Sequence, residues 1–180
     1  HFYLVSGREN FSFYQDHYKE AFTNEDALLA LLNRNLEIKK SFIERDEFDR
    51  GERLLLNYGH SFGHAIESLT NYTIPHGIAV SYGMDIANYI SVKLGFIKED
   101  LYFEIQDQLK KIWEGTSIRN LNVNDFEKAL SRDKKNIGNT YQLILTKGIG
   151  NMLIHGIRPN KDFTAWLRTY FLTYEDTRDV

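Results

Sequence analysis

The chain has 180 residues, 42% of them hydrophobic and 26% charged, with a net charge of −3 and no cysteine. That is enough for one domain with a real core, and it excludes a disordered segment, a disulfide scaffold and a thiolate metal site. The near-neutral balance offers no basic face to nucleic acid or an anionic membrane, and no apolar run is long enough to span a bilayer. No signal peptide is visible, and the lack of cysteine fits a reducing, cytoplasmic setting. A first residue of His1 rather than Met leads us to expect a fragment of something longer.

The first two dozen residues are aromatic and polar without a clear period, and read as irregular. A helix is expected from about Thr23 to Phe48, with Thr23 or Asn24 as cap and Glu25 and Asp26 at its positive end. Its apolar face is Leu28, Leu31, Leu32, Leu36, Ile38, Phe42 and Ile43. Gly51 marks a break. A second helix is expected from about Glu52 to Thr70, then a turn through Asn71 to Pro75. A third runs from His76 to a C-cap near Gly95. A fourth spans about Lys98 to Glu114, and a fifth about Val123 to Lys135, capped by Asn122 or Asn124. Thr140 to Thr146 and Asn151 to Ile157 alternate around Gly148-Ile149-Gly150 and predict a hairpin. A last helix covers about Lys161 to Tyr174. The fold class is mainly α: a single helical domain, residues 1–180, with one small β-hairpin. No nucleotide-binding fingerprint is present.

The segment Leu54 to Met84 holds three of the six histidines. On one continuous helix, Arg53, Asn57, His60, His64 and Glu67 are spaced by four, three, four and three residues and share a face. The rest of that helix is mostly apolar, so the polar stripe should line a cleft rather than face bulk water. Gly59 and Gly63 each cost roughly 1 kcal/mol of helix propensity relative to alanine, which suggests that something approaches this backbone closely. A lone buried histidine is more often packed or bonded to a carbonyl. Two at i and i+4, with His76 a turn away in Pro75-His76-Gly77, point instead to a divalent metal, a ligand, or both. Two imidazoles do not complete a catalytic zinc site, and the reading leaves two sources for a further ligand, a carboxylate from within the chain or one from a missing part. Glu67 has two readings, an acceptor that orients an imidazole or a structural partner.

These residues carry a family resemblance. Leu56-Asn57-Tyr-Gly59-His60-Ser61-Phe-Gly63-His64-Ala-Ile-Glu67, followed by His76-Gly77-Ile-Ala-Val80 and Gly83-Met84, resembles the C-terminal domain of 3-dehydroquinate synthase and related sugar-phosphate cyclases. Lys39, Asp46-Glu47, Gly51-Glu-Arg53 and Asp133-Lys134-Lys135 extend the match, which runs from about residue 39 to residue 157. The resemblance implies that His60 and His76 are metal ligands for Zn2+ or another divalent ion such as Co2+. It implies that His64, Asn57 and Lys134 contact the phosphate end of the substrate or serve its elimination. Lys39 and Arg53 are implied as the pair that binds the substrate's carboxylate and ring hydroxyls. It further implies a homodimer, a phosphorylated sugar-acid substrate and transient use of NAD in the shikimate pathway of aromatic amino acid biosynthesis. The family's N-terminal NAD-binding α/β domain is absent from these residues, as is the segment with the third, glutamate ligand. This chain alone is therefore expected to be inactive, to bind zinc poorly and not to hold NAD. Asp49 stands where the family has Glu, and Ile78 replaces the Glu of His-Gly-Glu-Ala-Val. The second departure leaves open a cyclase for a related sugar phosphate. An iron-dependent alcohol dehydrogenase-like metal domain and a degenerate helical binding module are also open at this point.

Overall fold

The computed structural model describes residues 1–113, 115–118 and 121–176. The chain opens with two helices, α1 (Phe2–Val5) and α2 (Arg8–His17), and a 3₁₀ turn, Glu20–Phe22. This corrects the irregular start. The helices bury Leu4, Val5 and Phe11. They are too short to show a period in sequence, and tertiary contact holds them. The long helix α3 (Glu25–Arg45) is capped by the Asn24 side chain, which accepts the N–H groups of Asp26 and Ala27. Of its expected apolar face, Ile38 and Phe42 reach the core, while Leu28, Leu32 and Leu36 are exposed, Leu36 at 64%.

The expected helix over Glu52 to Thr70 is two elements. A 3₁₀ stretch, Glu52–Asn57, leads to Gly59, whose φ of 80° is left-handed, and α4 (His60–Leu69) begins only there. Next comes α5 (His76–Lys93), with Pro75 at the N-cap position and Gly95, at φ 72°, just past its end. Helix α5 is the axis of the molecule. It is buried from Ala79 to Ser91 apart from Tyr89, and α4, α6 (Glu99–Lys110), α8 (Lys161–Asp176) and strand β1 (Tyr141–Thr146) all pack on it. The fourth helix thus stops at Lys110, and the expected end, Glu114, lies outside the described residues. Helix α7 (Val123–Leu130) is capped by Asn122 as expected but is shorter than expected. Asp133 accepts the N–H of Lys135 at 3.0 Å, an Asx turn that competes with further helix. Strand β1 pairs antiparallel with β2 (Met152–Ile157), Thr146 opposite Met152. Their turn clamps the N-terminus, since the Gly150 N–H donates to the Leu4 carbonyl at 2.8 Å.

The approach anticipated at Gly59 and Gly63 is made by α5. A methyl on Gly63 would lie 2.9 Å from the Val80 Cα, and one on Gly59 would lie 2.7 Å from the Val80 oxygen. On the other side, a methyl on Gly83 would overlap the Gly59 carbonyl oxygen and stand 2.7 Å from the Gly63 nitrogen. The glycines let two backbones meet, and the contact sets His60 and His64 on α4 against His76 at the head of α5.

Asp85 lies at the centre of α5, fully buried. One carboxylate oxygen accepts from Tyr170 Oη at 2.7 Å, Gln106 Nε2 at 3.1 Å and Tyr102 Oη at 3.4 Å. Burial pushes its carboxyl from 3.8 up to about 6, against the pull of these hydrogen bonds. The folded chain therefore holds a proton between pH 3.8 and 6 that the unfolded chain releases. The resulting stability is fully present at the acid end and is lost as pH rises to 6. At 1.36 kcal/mol per pKa unit the effect is on the order of 2–3 kcal/mol. Urea unfolding of wild type and Asp85→Asn from pH 4 to 7 should show wild type losing that much relative to the variant as pH rises. Parallel profiles would contradict the assignment. Among the described residues no helix is long and apolar enough to cross a membrane.

Candidate functional site

Helix α4 carries His60, His64 and Glu67 on one face by helical spacing, and α5 presents His76 from its first residue. The three imidazoles converge. Ring centroids are 5.7 Å apart for His60 and His64, 5.4 Å for His60 and His76, and 6.0 Å for His64 and His76. Two of the rings are anchored at Nδ1. His60 Nδ1 lies 3.2 Å from the Tyr58 carbonyl oxygen, and His76 Nδ1 lies 3.1 Å from Glu67 Oε1. Both partners are acceptors, so each Nδ1 carries a proton, which leaves Nε2 as the nitrogen that can offer a lone pair to a metal. Tyr58 is itself fixed, with a buried ring whose hydroxyl donates to Asn88 Oδ1.

Burial pushes His60 down to about 4, the Tyr58 carbonyl pulling the other way and His64, His76 and Lys135 adding to the depression. At neutral pH it is an uncharged imidazole, the form that binds a metal. The donor atoms of His64, Glu67 and His76 lie within 4.8 Å of one another, so this triad could also hold an ion. Two donor sets therefore overlap at His76: His60 with His76, and His64 with Glu67 and His76. The nitrogen-rich, cysteine-free donor chemistry suits zinc or a similar divalent ion in either case.

Arg53 and Asn57 are not on the histidine helix, contrary to the single-stripe expectation. They stand on the 3₁₀ stretch before Gly59 because the chain has to turn there to bring α4 against α5. Period alone does not distinguish such a break. The loop ahead of them is organised by Asp46, which accepts the N–H groups of Arg50, Gly51 and Arg53 at 3.1, 2.8 and 3.0 Å. These donors, that of Arg50 first, hold its carboxyl below the usual range. Arg53 Nη1 donates to the Glu47 carbonyl at 3.0 Å, and Asn57 Nδ2 to the Leu54 carbonyl at 3.1 Å, so the Asn57 amide is folded back on its own turn. Lys39 is exposed on α3, the helix that packs on this 3₁₀ stretch.

Two residues near the cluster were not singled out from the sequence. Lys135, rather than Lys134, is the lysine whose charge His60 feels, and Lys134 is exposed beside it. Spacing in Asp-Lys-Lys does not tell one from the other. His1 lies edge-on to His60 with centroids 5.2 Å apart, a contact with no local sequence signal. Ile78 packs against the core from the first turn of α5. A wide cleft of about 720 Å3 between α7 and α8, lined by Glu127, Lys128 and Arg168 among others, contains none of the histidines.

The family model for 3-dehydroquinate synthase C-terminal matches residues 2–136. It therefore takes in the N-terminal helices that motif reading left out, and it stops short of the hairpin. A 3-dehydroquinate synthase of Campylobacter jejuni is 37% identical over 141 residues, covering 78% of this chain and 40% of that protein. Another, of Sulfurovum sp., is 38% identical over 129 residues, covering 71% of this chain and 37% of that protein. The chain thus spans about 40% of the length of such relatives. Among solved structures, 2-epi-5-epi-valiolone synthase of Streptomyces hygroscopicus subsp. jinggangensis, with NAD+ and Zn2+ bound, superposes with a TM-score of 0.78 at 21% identity, over 97% of this chain and 49% of that one. A 2-deoxy-scyllo-inosose synthase complexed with carbaglucose-6-phosphate, NAD+ and Co2+ gives 0.69 at 22% identity, over 81% of this chain and 42% of that one. At such identities these two show the fold: a helical domain with one two-stranded hairpin, as these cyclases have it. With the double-histidine motif, the clustered imidazoles and the match over residues 2–136, the chain belongs to the 3-dehydroquinate synthase family, in the part that forms its C-terminal domain.

Proposed function

We propose that this chain is the metal- and substrate-binding half of a 3-dehydroquinate synthase, a lyase that turns a phosphorylated heptulosonate into a carbocycle with loss of phosphate. The observation that carries the reading is the convergence of three imidazoles, two of them anchored at Nδ1, inside the matched stretch. His60 and His76 would hold a divalent metal through Nε2. The other half of the enzyme, a dinucleotide-binding domain, would supply NAD and the remaining ligand. When bound, the metal supplies Lewis-acid polarisation of a substrate hydroxyl, and the dinucleotide a reversible hydride acceptor.

The chain's own side chains do the rest. Arg53 offers a planar fork that matches a carboxylate in two bonds, and Lys39 adds a point charge beside it. His64, 5.7 Å from the His60 ring and 6.0 Å from the His76 ring, would hold or pass a proton of the substrate. The Asn57 amide oxygen would accept from a ring hydroxyl while its nitrogen stays on the Leu54 carbonyl. Lys134 and Lys135 bring positive charge for the departing phosphate. The family points to a cytoplasmic homodimer with no nucleic-acid or membrane partner. The relatives named 3-dehydroquinate synthase, at 37% and 38% identity, favour this substrate over those of the other cyclases.

The test is phosphate release from 3-deoxy-arabino-heptulosonate 7-phosphate, with NAD and zinc, by these residues joined to a dinucleotide-binding domain. Arg53→Ala should lower kcat/KM at least a hundredfold, roughly the 3 kcal/mol of one charge-assisted bidentate pair. Zinc binding without phosphate release would move the reading to another sugar phosphate.

A further inference from the structure

We infer that Glu67 is the positioning residue of this centre: through Oε1 it holds the His76 Nδ1–H and so fixes the tautomer that presents Nε2 to the metal. The inference rests on the metal reading above. The Glu67 side chain is only 11% exposed, whereas that of His76 is 56% exposed at the head of α5. A buried carboxylate is costly without a partner. The partner that the structure gives its side chain, among the described residues, is His76 Nδ1 at 3.1 Å. A carboxylate accepts, so the shared proton sits on Nδ1. Without this contact the ring at a helix start is free to rotate and to exchange tautomers.

His60 is anchored in the same way, its Nδ1 on the Tyr58 carbonyl at 3.2 Å. The Tyr58 main-chain carbonyl, bonded to the ring at Nδ1, is an orienting group rather than a metal ligand. The two imidazoles are thus held in one protonation pattern by two acceptors on α4 and its approach. The competing role for Glu67 is that of a direct ligand with His64 and His76, whose donor atoms lie within 4.8 Å of it. The two roles differ in what glutamine does. An amide oxygen still accepts from Nδ1–H, but it is a poor substitute for a carboxylate on a metal.

Two readouts on this chain decide the matter. Imidazole 15N shifts of the metal-free protein at pH 7.5 report the His76 tautomer, and competition with a chelator reports zinc affinity. Wild type should show the Nδ1–H form. Glu67→Gln should keep it, with zinc affinity within about threefold, while Glu67→Ala should lose it and bind zinc about 10–100-fold more weakly. Glutamine that costs more than a hundredfold, with the Nδ1–H form intact, would make Glu67 a ligand and overturn the inference. Alanine without effect on either readout would also overturn it. Should alanine fail to fold, the isosteric glutamine variant and the wild-type tautomer decide alone. A wild-type chain that binds no zinc but shows Nδ1–H at His76, lost in the alanine variant, upholds the pairing and removes the metal reading instead.

Discussion

His76→Ala is expected to lower zinc affinity at least a hundredfold, to the level of non-specific binding, with little change in the fold. His76 belongs to both donor sets that the structure permits, His60 with His76, and His64 with Glu67 and His76. Its removal leaves no set with more than two groups from this chain. The fold should be kept, because the side chain is 56% exposed and tops a helix whose core contacts begin at Ile78, although stability should fall by about 1–3 kcal/mol as buried Glu67 loses its partner. Two controls make the result specific. His155 sits in the hairpin against Phe96, and His17 bonds its own helix at the Phe13 carbonyl. Alanine at either should leave zinc affinity unchanged. Competition with a chelator, together with circular dichroism, measures both parts of the claim.

Gly83→Ala is expected to be the most damaging single methyl in the described structure. The added carbon would overlap the Gly59 carbonyl oxygen and crowd the Gly63 nitrogen at 2.7 Å. Both are backbone atoms, so no rotamer change relieves the clash, and α4 has to move off α5. Overpacking typically costs 1–3 kcal/mol, and a rigid backbone wall places this case at or above about 3 kcal/mol. The shift would also pull His60 and His64 away from His76, so zinc affinity should fall with stability. Gly77→Ala is the internal comparison. It lies in the first turn of α5 with nothing within 4 Å of the new methyl, and it should be neutral or stabilising by up to about 1 kcal/mol. Urea midpoints of the two variants measure the contrast. Equal midpoints would show that the glycine contact between α4 and α5 is not tight.

Where local chemistry decides a boundary, the sequence was enough. Asn24 and Asn122 accept the expected N–H groups, Gly95 ends α5, and the Gly148 to Gly150 turn joins two strands as their alternation indicates. Where tertiary contact decides, it was not. Helix α1 is four residues long and exists because Leu4 and Val5 are buried and Gly150 holds the Leu4 carbonyl. Gly59 looked like a helix-interior glycine, yet it is the left-handed turn that separates Arg53 and Asn57 from the histidines. Leu28, Leu32 and Leu36 had the spacing of a core face, but no described element covers them. The site followed the same division. The clustering of His60, His64 and His76 was legible because all three lie on a short motif with helical spacing. The nearness of His1 and Lys135 to His60 was not, since each comes from a different part of the chain.

We assign His60 and His76 as the metal ligands and His64 to the substrate. The most direct measurement is zinc affinity of His60→Ala beside His64→Ala in these residues joined to a dinucleotide-binding domain. His60→Ala is expected to lose zinc at least a hundredfold, while His64→Ala stays within about tenfold of wild type. The reverse, zinc lost with His64 and kept without His60, would assign the metal to His64, Glu67 and His76 instead.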